Sequence, residues 1–542
     1  MSAPDERRAA ERRPTDAPSV RPNAVAWRWA PRVVVLAAAT LAVVAFVAHA
    51  WQAVAGAYLS YVSGIWLALG HDLASGVFYR PLIGPLGYGG TRYFPLFFCV
   101  IGLLQRAGVP PLESGWQASA VAGAMLATGL ARCGRAVGAP RPFAWLLGAA
   151  AIAPYFVQQT LFEVRADVLA AGLNLWGLAA IIPAWRGPDS ARPRTVPATA
   201  WFTLAFAAKV TSLSVPLSVL AALLVSGRLQ TARRLGAQLA VGLVMFFGVV
   251  EIASAGRAIE SWRACMFAGS SQESTLMSLL RGDFLELAGF SHLLTVLLFV
   301  TVLALIAAVV LSRRPINSPP RSIGIDSKPS WLDGRALWLP ALLFAGVTAT
   351  TALTLSSPGT VPSNQVVEWV QVSLVVLTWV AASHRELTRP LSVLVVLIVL
   401  WMSAQDLIRV RALVATRSER TSADVRDAIA QYVGSTPAPV LAESALWPVL
   451  AGRHAYLLDP FALRVVMQTR PDIAQDLEHK IDAHYFASVI FQVDPTSGIG
   501  RGYYEHVNFG WPSTARILER YRFDRRPASD VWIYVPKAPS EQ

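Results

Sequence analysis

Leu161-Phe162-Glu163-Val164-Arg165-Ala166-Asp167 sets three ionisable side chains within five positions, between the apolar runs 143–160 and 167–184. Each run is close to the length a helix needs to cross a bilayer, so these charges fall at a membrane boundary. Carboxylates and guanidinium groups near hydrocarbon are tolerated where they line a watery cavity, pair with an opposite charge, or take part in function. Glu163, Arg165 and Asp167 are therefore the first candidate site residues. The bland alternative is an interfacial cluster that caps two helices and neutralises itself.

Outward from that turn, further apolar runs occur at 33–52, 115–132, 196–208, 211–226, 235–254, 286–311, 336–355, 366–382 and 390–408, giving about eleven spans in all. Composition agrees: 54% of the 542 residues are hydrophobic and 15% charged, with mean hydropathy +0.45. That is more apolar surface than one soluble core needs, and the fold class expected is an α-helical polytopic membrane protein. The net charge of +13 invites a nucleic-acid reading. Its basic residues, however, cluster at 132–141, 186–194, 228–234, 313–328 and 384–389, at every second connection, as the positive-inside rule expects. Topology thus explains the charge, and no nucleic-acid partner is expected. Cys99, Cys133 and Cys265 show neither a metal spacing nor a disulfide framework. The Arg-rich stretch 1–32 is too long for the first part of a signal peptide and reads as a disordered basic cytoplasmic tail.

With the N-terminus cytoplasmic, the opposite face receives the long first outer loop 53–114, the 163–167 turn, the turn at Lys209, the loops 255–285 and 356–365, and everything from 409 onward. The expected layout is a transmembrane domain over 33–408 in the cell (inner) membrane, crossing it many times, with 409–542 as a soluble extracytoplasmic α/β domain. Within the first outer loop, 61–75 and 94–107 are amphipathic and flank Gly84-Pro85-Leu86-Gly87-Tyr88-Gly89-Gly90. If 94–107 crossed the membrane, all later basic loops would face outward, so it is read as interfacial. The segment 313–335 reads as a solvated linker. Beyond 409, β-rich runs at 438–443, 455–458, 487–492 and 531–535 alternate with helical patterns at 473–481 and 514–521. No internal repeat is visible, which gives no support to a transporter built from two related halves.

These features, in this order, resemble the GT-C superfamily of membrane glycosyltransferases, in the branch that includes protein O-mannosyltransferases and the aminoarabinose transferase of lipid A. The resemblance covers nearly the whole chain. Gly64-Ile65-Trp66-Leu67-Ala68, Phe78-Tyr79-Arg80 and Thr91-Arg92-Tyr93-Phe94-Pro95-Leu96 are similar to the family's pair of juxtamembrane helices. Arg165-Ala166-Asp167 resembles its second acidic motif, Ala207-Ala208-Lys209-Val210-Thr211 a Lys-containing turn, and Ser357-Pro358-Gly359-Thr360 through Asn364 and Glu368 a late outer-loop signature. The chain departs from the pattern in one place. Family members usually carry an acid just after the first span, whereas 51–70 holds no Asp or Glu and Asp72 comes later.

The resemblance implies transfer of a sugar from a polyprenyl-phosphate donor to a hydroxyl of a lipid, glycan or protein acceptor at the outer face, with membrane lipids as surroundings. Such a reaction needs a carboxylate to take the acceptor's proton, and Asp167 and Asp72 are the candidates. It also needs cations to hold the leaving phosphate, for which Arg92, Arg80, Arg165 and Lys209 are candidates, with Glu163, Asn364 and Glu368 completing the substrate-binding set. A divalent metal would serve the same end as those cations, but the sequence offers no dedicated ligand cluster, so metal is left unassigned. Each residue has a structural alternative: interfacial solvation for Asp72, lipid anchoring for Arg92, snorkelling for Lys209 and helix capping for Asn364 and Glu368. A transporter or flippase of an amphipathic lipid is the alternative of another class, and a non-catalytic assembly factor on the same scaffold is the third.

Overall fold

The computed structural model describes residues 32–54, 59–186, 195–266, 292–313, 337–355, 362–415, 423–538 and 540. The N-terminal tail, most of the 313–335 linker, the greater part of the 255–285 loop, the 187–194 basic cluster and Ser357 to Thr360 lie outside them.

Every apolar run becomes helical, though not always as one rod. Arg32–Val54, Leu229–Ser254, Trp338–Leu355, Asn364–Ser383 and Glu386–Ala412 are long and apolar enough to cross a membrane by themselves. Tyr155–Phe162 and Asp167–Pro183 make a sixth only as a pair bent by 116° at the charged turn. The expected single span at 143–160 is corrected to two helices, Arg141–Ile152 and Tyr155–Phe162. Pro154 separates them, since it has no N–H to donate to the hydrogen-bond ladder of the preceding turn. The run at 211–226 likewise opens as a 3-10 turn, Val210–Leu213, before Ser214–Val225.

Two features organise the bundle. The helix Pro362–Ser383 runs through its middle, with 89% of its apolar window buried. The first and last apolar helices are joined inside the bundle by His49, whose Nδ1 lies 2.9 Å from Asp406 Oδ1 and 2.6 Å from Gln158 Oε1. All three of these side chains are buried. Polar groups there are tolerated because they face one another rather than lipid.

The first outer loop folds as the sequence suggests, into helices Tyr61–Ala74 and Pro95–Arg106 that cross at small residues. A side chain at Gly102 would meet Gly70 O at 2.9 Å, so the two backbones pack directly. Between them a short hairpin, Ile83–Gly84 with Gly87–Tyr88, reaches into the C-terminal part of the chain. Tyr88 N donates to Tyr456 O at 2.8 Å and Leu458 N donates to Tyr88 O at 3.0 Å.

Residues 423–538 build a four-stranded sheet in the order Val440–Ala442, Ser488–Phe491, Val531–Pro536, Tyr521–Ala528. The first pair is parallel and the others antiparallel, and helices Pro471–Asp482 and Trp511–Arg520 lie where helical spacing put them. The sequence reading needs two corrections here. Ala455 to Leu458 is no strand of this sheet; it makes only the bridge to Tyr88. The strand Tyr521–Ala528 went unread because Arg522 to Arg526 are exposed and four of those five are charged, a composition that suits an edge strand.

Candidate active site

The charged turn is shaped by packing as well as by charge. After Phe162 the chain turns at Val164, whose φ of +55° is unusual for a β-branched residue. Val164 is buried, and Gly115 on the facing helix leaves room for it: a Cβ there would sit 2.9 Å from Val164 Cγ1. Ser63 Oγ donates to Glu163 O at 2.8 Å, which ties the turn to the first outer loop. Glu163 Oε2 lies 2.5 Å from Arg165 Nε, and Gln159 Nε2 donates to Glu163 Oε1 at 2.9 Å. For Glu163 and Arg165 the self-neutralising alternative therefore holds in part. Arg165 also lies within electrostatic reach of Asp167, Tyr93 and Tyr61.

Asp167 opens the helix Asp167–Arg186 and finds its own partners. Its Oδ1 lies 2.5 Å from Lys209 Nζ and accepts from Asn364 Nδ2 at 3.3 Å. Lys209 occupies the extended residue between Thr195–Ala208 and Val210–Leu213, and its Nζ also donates to Gln365 Oε1 at 3.1 Å. One helical turn on from Asn364, Glu368 accepts from Asn174 Nδ2 at 2.5 Å and from Ser214 Oγ at 3.1 Å. Asp167, Lys209, Ser214, Asn364, Gln365 and Glu368 border one small, partly open cleft together with Thr350, Thr351 and Thr354, and Asn174 is held against Glu368. Four predicted residues, Asp167, Lys209, Asn364 and Glu368, thus converge from three separate parts of the chain. Sequence reasoning missed Asn174, Gln365 and Ser214; Asn174, alone among apolar residues in mid-helix, was the available signal.

Asp72 and Arg80 are placed elsewhere. Arg80 Nε and Nη2 donate to the two oxygens of Asp72, each at 2.5 Å, and His454 Nδ1 lies 2.8 Å from Asp72 Oδ1. Arg80 Nη1 donates to Leu86 O at 3.0 Å and to Ala455 O at 2.5 Å. Both side chains are almost wholly buried and clasp the first outer loop to the C-terminal part.

Arg92 faces the C-terminal part too, its guanidinium stacked 4.3 Å from the centre of the Phe461 ring. Asp459, Tyr61 and Tyr93 lie within electrostatic reach of it, and Asp459 is a residue the sequence reading did not single out. Asp459 is buried; Oδ1 caps the helix Pro460–Thr469 by accepting from Ala462 N at 3.0 Å, and Oδ2 has no hydrogen-bond partner among the described residues. Burial pushes its carboxyl above the usual carboxylate range against the opposing pull of Arg92. Through Arg165, Tyr61 and Tyr93 this second cluster adjoins the cleft of Asp167.

No protein-family profile and no curated protein matches the sequence. Solved structures do. ArnT from Cupriavidus metallidurans bound to undecaprenyl phosphate superposes with a TM-score of 0.54 at 14% identity, over 94% of this chain and 98% of that one. The archaeal oligosaccharyltransferase AglB from Archaeoglobus fulgidus, in complex with an inhibitory peptide and a dolichol-phosphate, gives 0.52 at 13% identity, over 93% of this chain and 74% of that one. The chain shares the fold of these two proteins. A further structure of the archaeal enzyme is a complex with Zn and sulfate. Among the described residues of this chain no group of three or more His, Cys, Asp or Glu stands together as metal ligands.

Proposed function

We propose that this protein is a membrane glycosyltransferase that moves a sugar from a polyprenyl-phosphate donor to an acceptor hydroxyl at the extracytoplasmic face. One observation carries the reading: Asp167, bordering a partly open cleft, is held at one oxygen by Lys209 and Asn364 from two other parts of the chain. An oriented carboxylate beside open space is what a base needs in order to meet an acceptor O–H within hydrogen-bond reach. Support comes from the fold shared with ArnT bound to undecaprenyl phosphate and with AglB in complex with a dolichol-phosphate, and from the contacts that tie the first loop to the charged turn and to the C-terminal part.

In this mechanism Asp167 takes the acceptor's proton as the acceptor oxygen attacks the anomeric carbon. The bond from that carbon to the phosphate oxygen breaks, and the lipid phosphate leaves with the electron pair. Arg92 and Arg165 receive the charge that builds on it, since charge-assisted contacts strengthen as the phosphate gains charge. Lys209 fixes the orientation of Asp167, while Asn364 and Glu368 shape the cleft wall. No divalent ion is assigned a place in this scheme, since among the described residues no group of three or more His, Cys, Asp or Glu stands together around Asp167. Asp72 holds the loop to the C-terminal part.

Purified protein in nanodiscs, given a polyprenyl-phosphate-linked radiolabelled hexose and an extract of envelope lipids and glycans, tests this. Release of free polyprenyl phosphate, lost in Asp167→Asn, is the expected result. Movement of the intact lipid-linked sugar across liposome membranes without cleavage would favour a flippase, and neither outcome would favour a scaffold without catalysis.

A further inference from the structure

Asp459 stands out among the buried carboxylates of the C-terminal part when compared with Glu443. Glu443 accepts from Tyr503 Oη, Tyr504 Oη and Asn508 Nδ2, each at 2.8 Å, and from Gln492 N at 2.7 Å, so burial leaves none of its capacity unused. Asp459 spends one oxygen on a helix cap, and the other has no hydrogen-bond partner among the described residues. A bare buried carboxylate oxygen is expensive, commonly by ~1–3 kcal/mol, and persists where something else requires it. The titratable and charged groups that sense it are Arg92, Tyr61 and Tyr93 from the first outer loop and Cys265 from the helix Arg257–Met266. Arg92, the cation of that set, stacks on Phe461, two residues from Asp459.

We propose that Asp459 is a positioning residue that sets how tightly Arg92 holds an anionic phosphate: ionised, it competes for the guanidinium, and protonated, it leaves Arg92 to the ligand. The inference rests on the reading of Arg92 as a phosphate anchor and extends it to a group on the C-terminal part. Electrostatics gives the sign. A phosphate beside Arg92 meets like charge from an ionised Asp459, so binding favours the protonated carboxyl and takes up a proton. Raising the pH ionises Asp459 and weakens the hold. Burial pushes this carboxyl upward against the pull of Arg92, which raises the pH at which the switch acts. In a transfer cycle the same repulsion helps the spent lipid phosphate to leave.

The probe is undecaprenyl phosphate methyl ester, a diester whose single charge does not change over the range used. Its affinity for the full-length protein in nanodiscs is measured between about pH 5.5 and about pH 8. Wild-type protein is expected to lose about fivefold in affinity across that range, a modest coupling between two sites. Asp459→Asn keeps the helix cap, because Asn caps as well as Asp, and is expected to bind with little dependence on pH. Asp459→Ser, which also retains a capping oxygen, should behave alike. A pH slope in both variants equal to that of the wild type overturns the inference. Arg92→Ala separates the two levels: unchanged binding by that variant sinks the phosphate-anchor reading itself, whereas lost binding with unaltered slopes in the Asp459 variants sinks only the role of Asp459.

Discussion

Two acidic residues of this protein each meet a cation at the same end of the bundle, yet they differ in what is left over. Asp72 has both oxygens bound by Arg80 and a third contact from His454, and Arg80 spends its remaining reach on two backbone carbonyls. The side chains are 3% and 1% exposed. Asp167 is held through one oxygen, by Lys209 and Asn364, at side-chain exposures of 10% for the acid and 22% for the lysine, and it borders a cleft. Charge at a membrane boundary is therefore not itself the mark of a site. What separates them is saturation: a buried carboxylate with both oxygens engaged holds structure together, and one held through a single oxygen beside a cleft can accept a proton from a ligand.

Substitution at the two positions should pull stability and turnover apart. Asp167→Asn is expected to reduce sugar transfer by about a hundredfold or more, the usual contribution of a positioned base, while thermal unfolding in detergent stays near wild type. Asp72→Asn should do the reverse. It leaves the Arg80 guanidinium buried without its counter-charge, which commonly costs about 3–5 kcal/mol, so the unfolding midpoint should fall sharply while protein that remains folded keeps its KM. Normal transfer by Asp167→Asn, or an unshifted midpoint in Asp72→Asn, would erase the distinction drawn between the two pairs. A milder change sharpens it: Lys209→Gln keeps a hydrogen-bond donor for Asp167 but removes the charge. Because Lys209 is partly exposed, a loss of stability of no more than about 1 kcal/mol is expected, together with a fall in kcat.

The comparison also explains which parts of the molecule could be read from the sequence. Asp167 and Lys209 were legible because each sits between apolar runs, where polar residues stand out against hydrocarbon-compatible neighbours, and Asn364 and Glu368 were legible only through the late outer-loop signature of the resemblance. Asp72 and Arg80 stood out in the first outer loop, but their partnership could not be read, since Arg80 completes its hydrogen bonds at Ala455, 375 residues away. Asp459 was invisible for a local reason: an Asp before Pro460 reads as an ordinary helix cap, which it also is. The strand Tyr521–Ala528 escaped because an edge strand need not alternate when both of its faces are wet. The break at Pro154 was legible in principle, but hydropathy counts run length and gives no weight to one residue without an N–H.

The smallest effect tests whether the cleft is positioned by packing, as the Asp72 pair positions the loop by charge. Val164 is held in left-handed backbone, a strain of order 1–3 kcal/mol that endures only if its surroundings fix it. What fixes it is close contact with the helix Pro111–Ala136, where a Cβ at Gly115 would lie 2.9 Å from Val164 Cγ1 and 2.8 Å from Leu67 Cδ2. Gly115→Ala must therefore push on the turn that carries Asp167 and on the first outer-loop helix at once. Overpacking of this kind costs about 1–3 kcal/mol, and even a small displacement of a base from its productive position slows the chemistry. We expect a lowered unfolding midpoint and a several-fold fall in kcat measured well below that midpoint. Gly434→Ala is the control, because a Cβ there meets only Ala451, at 3.6 Å, and neither quantity should move. If Gly115→Ala lowers the midpoint but leaves kcat untouched, the turn tolerates displacement, and the placement of Asp167 owes more to Lys209 and Asn364 than to the packing beneath it.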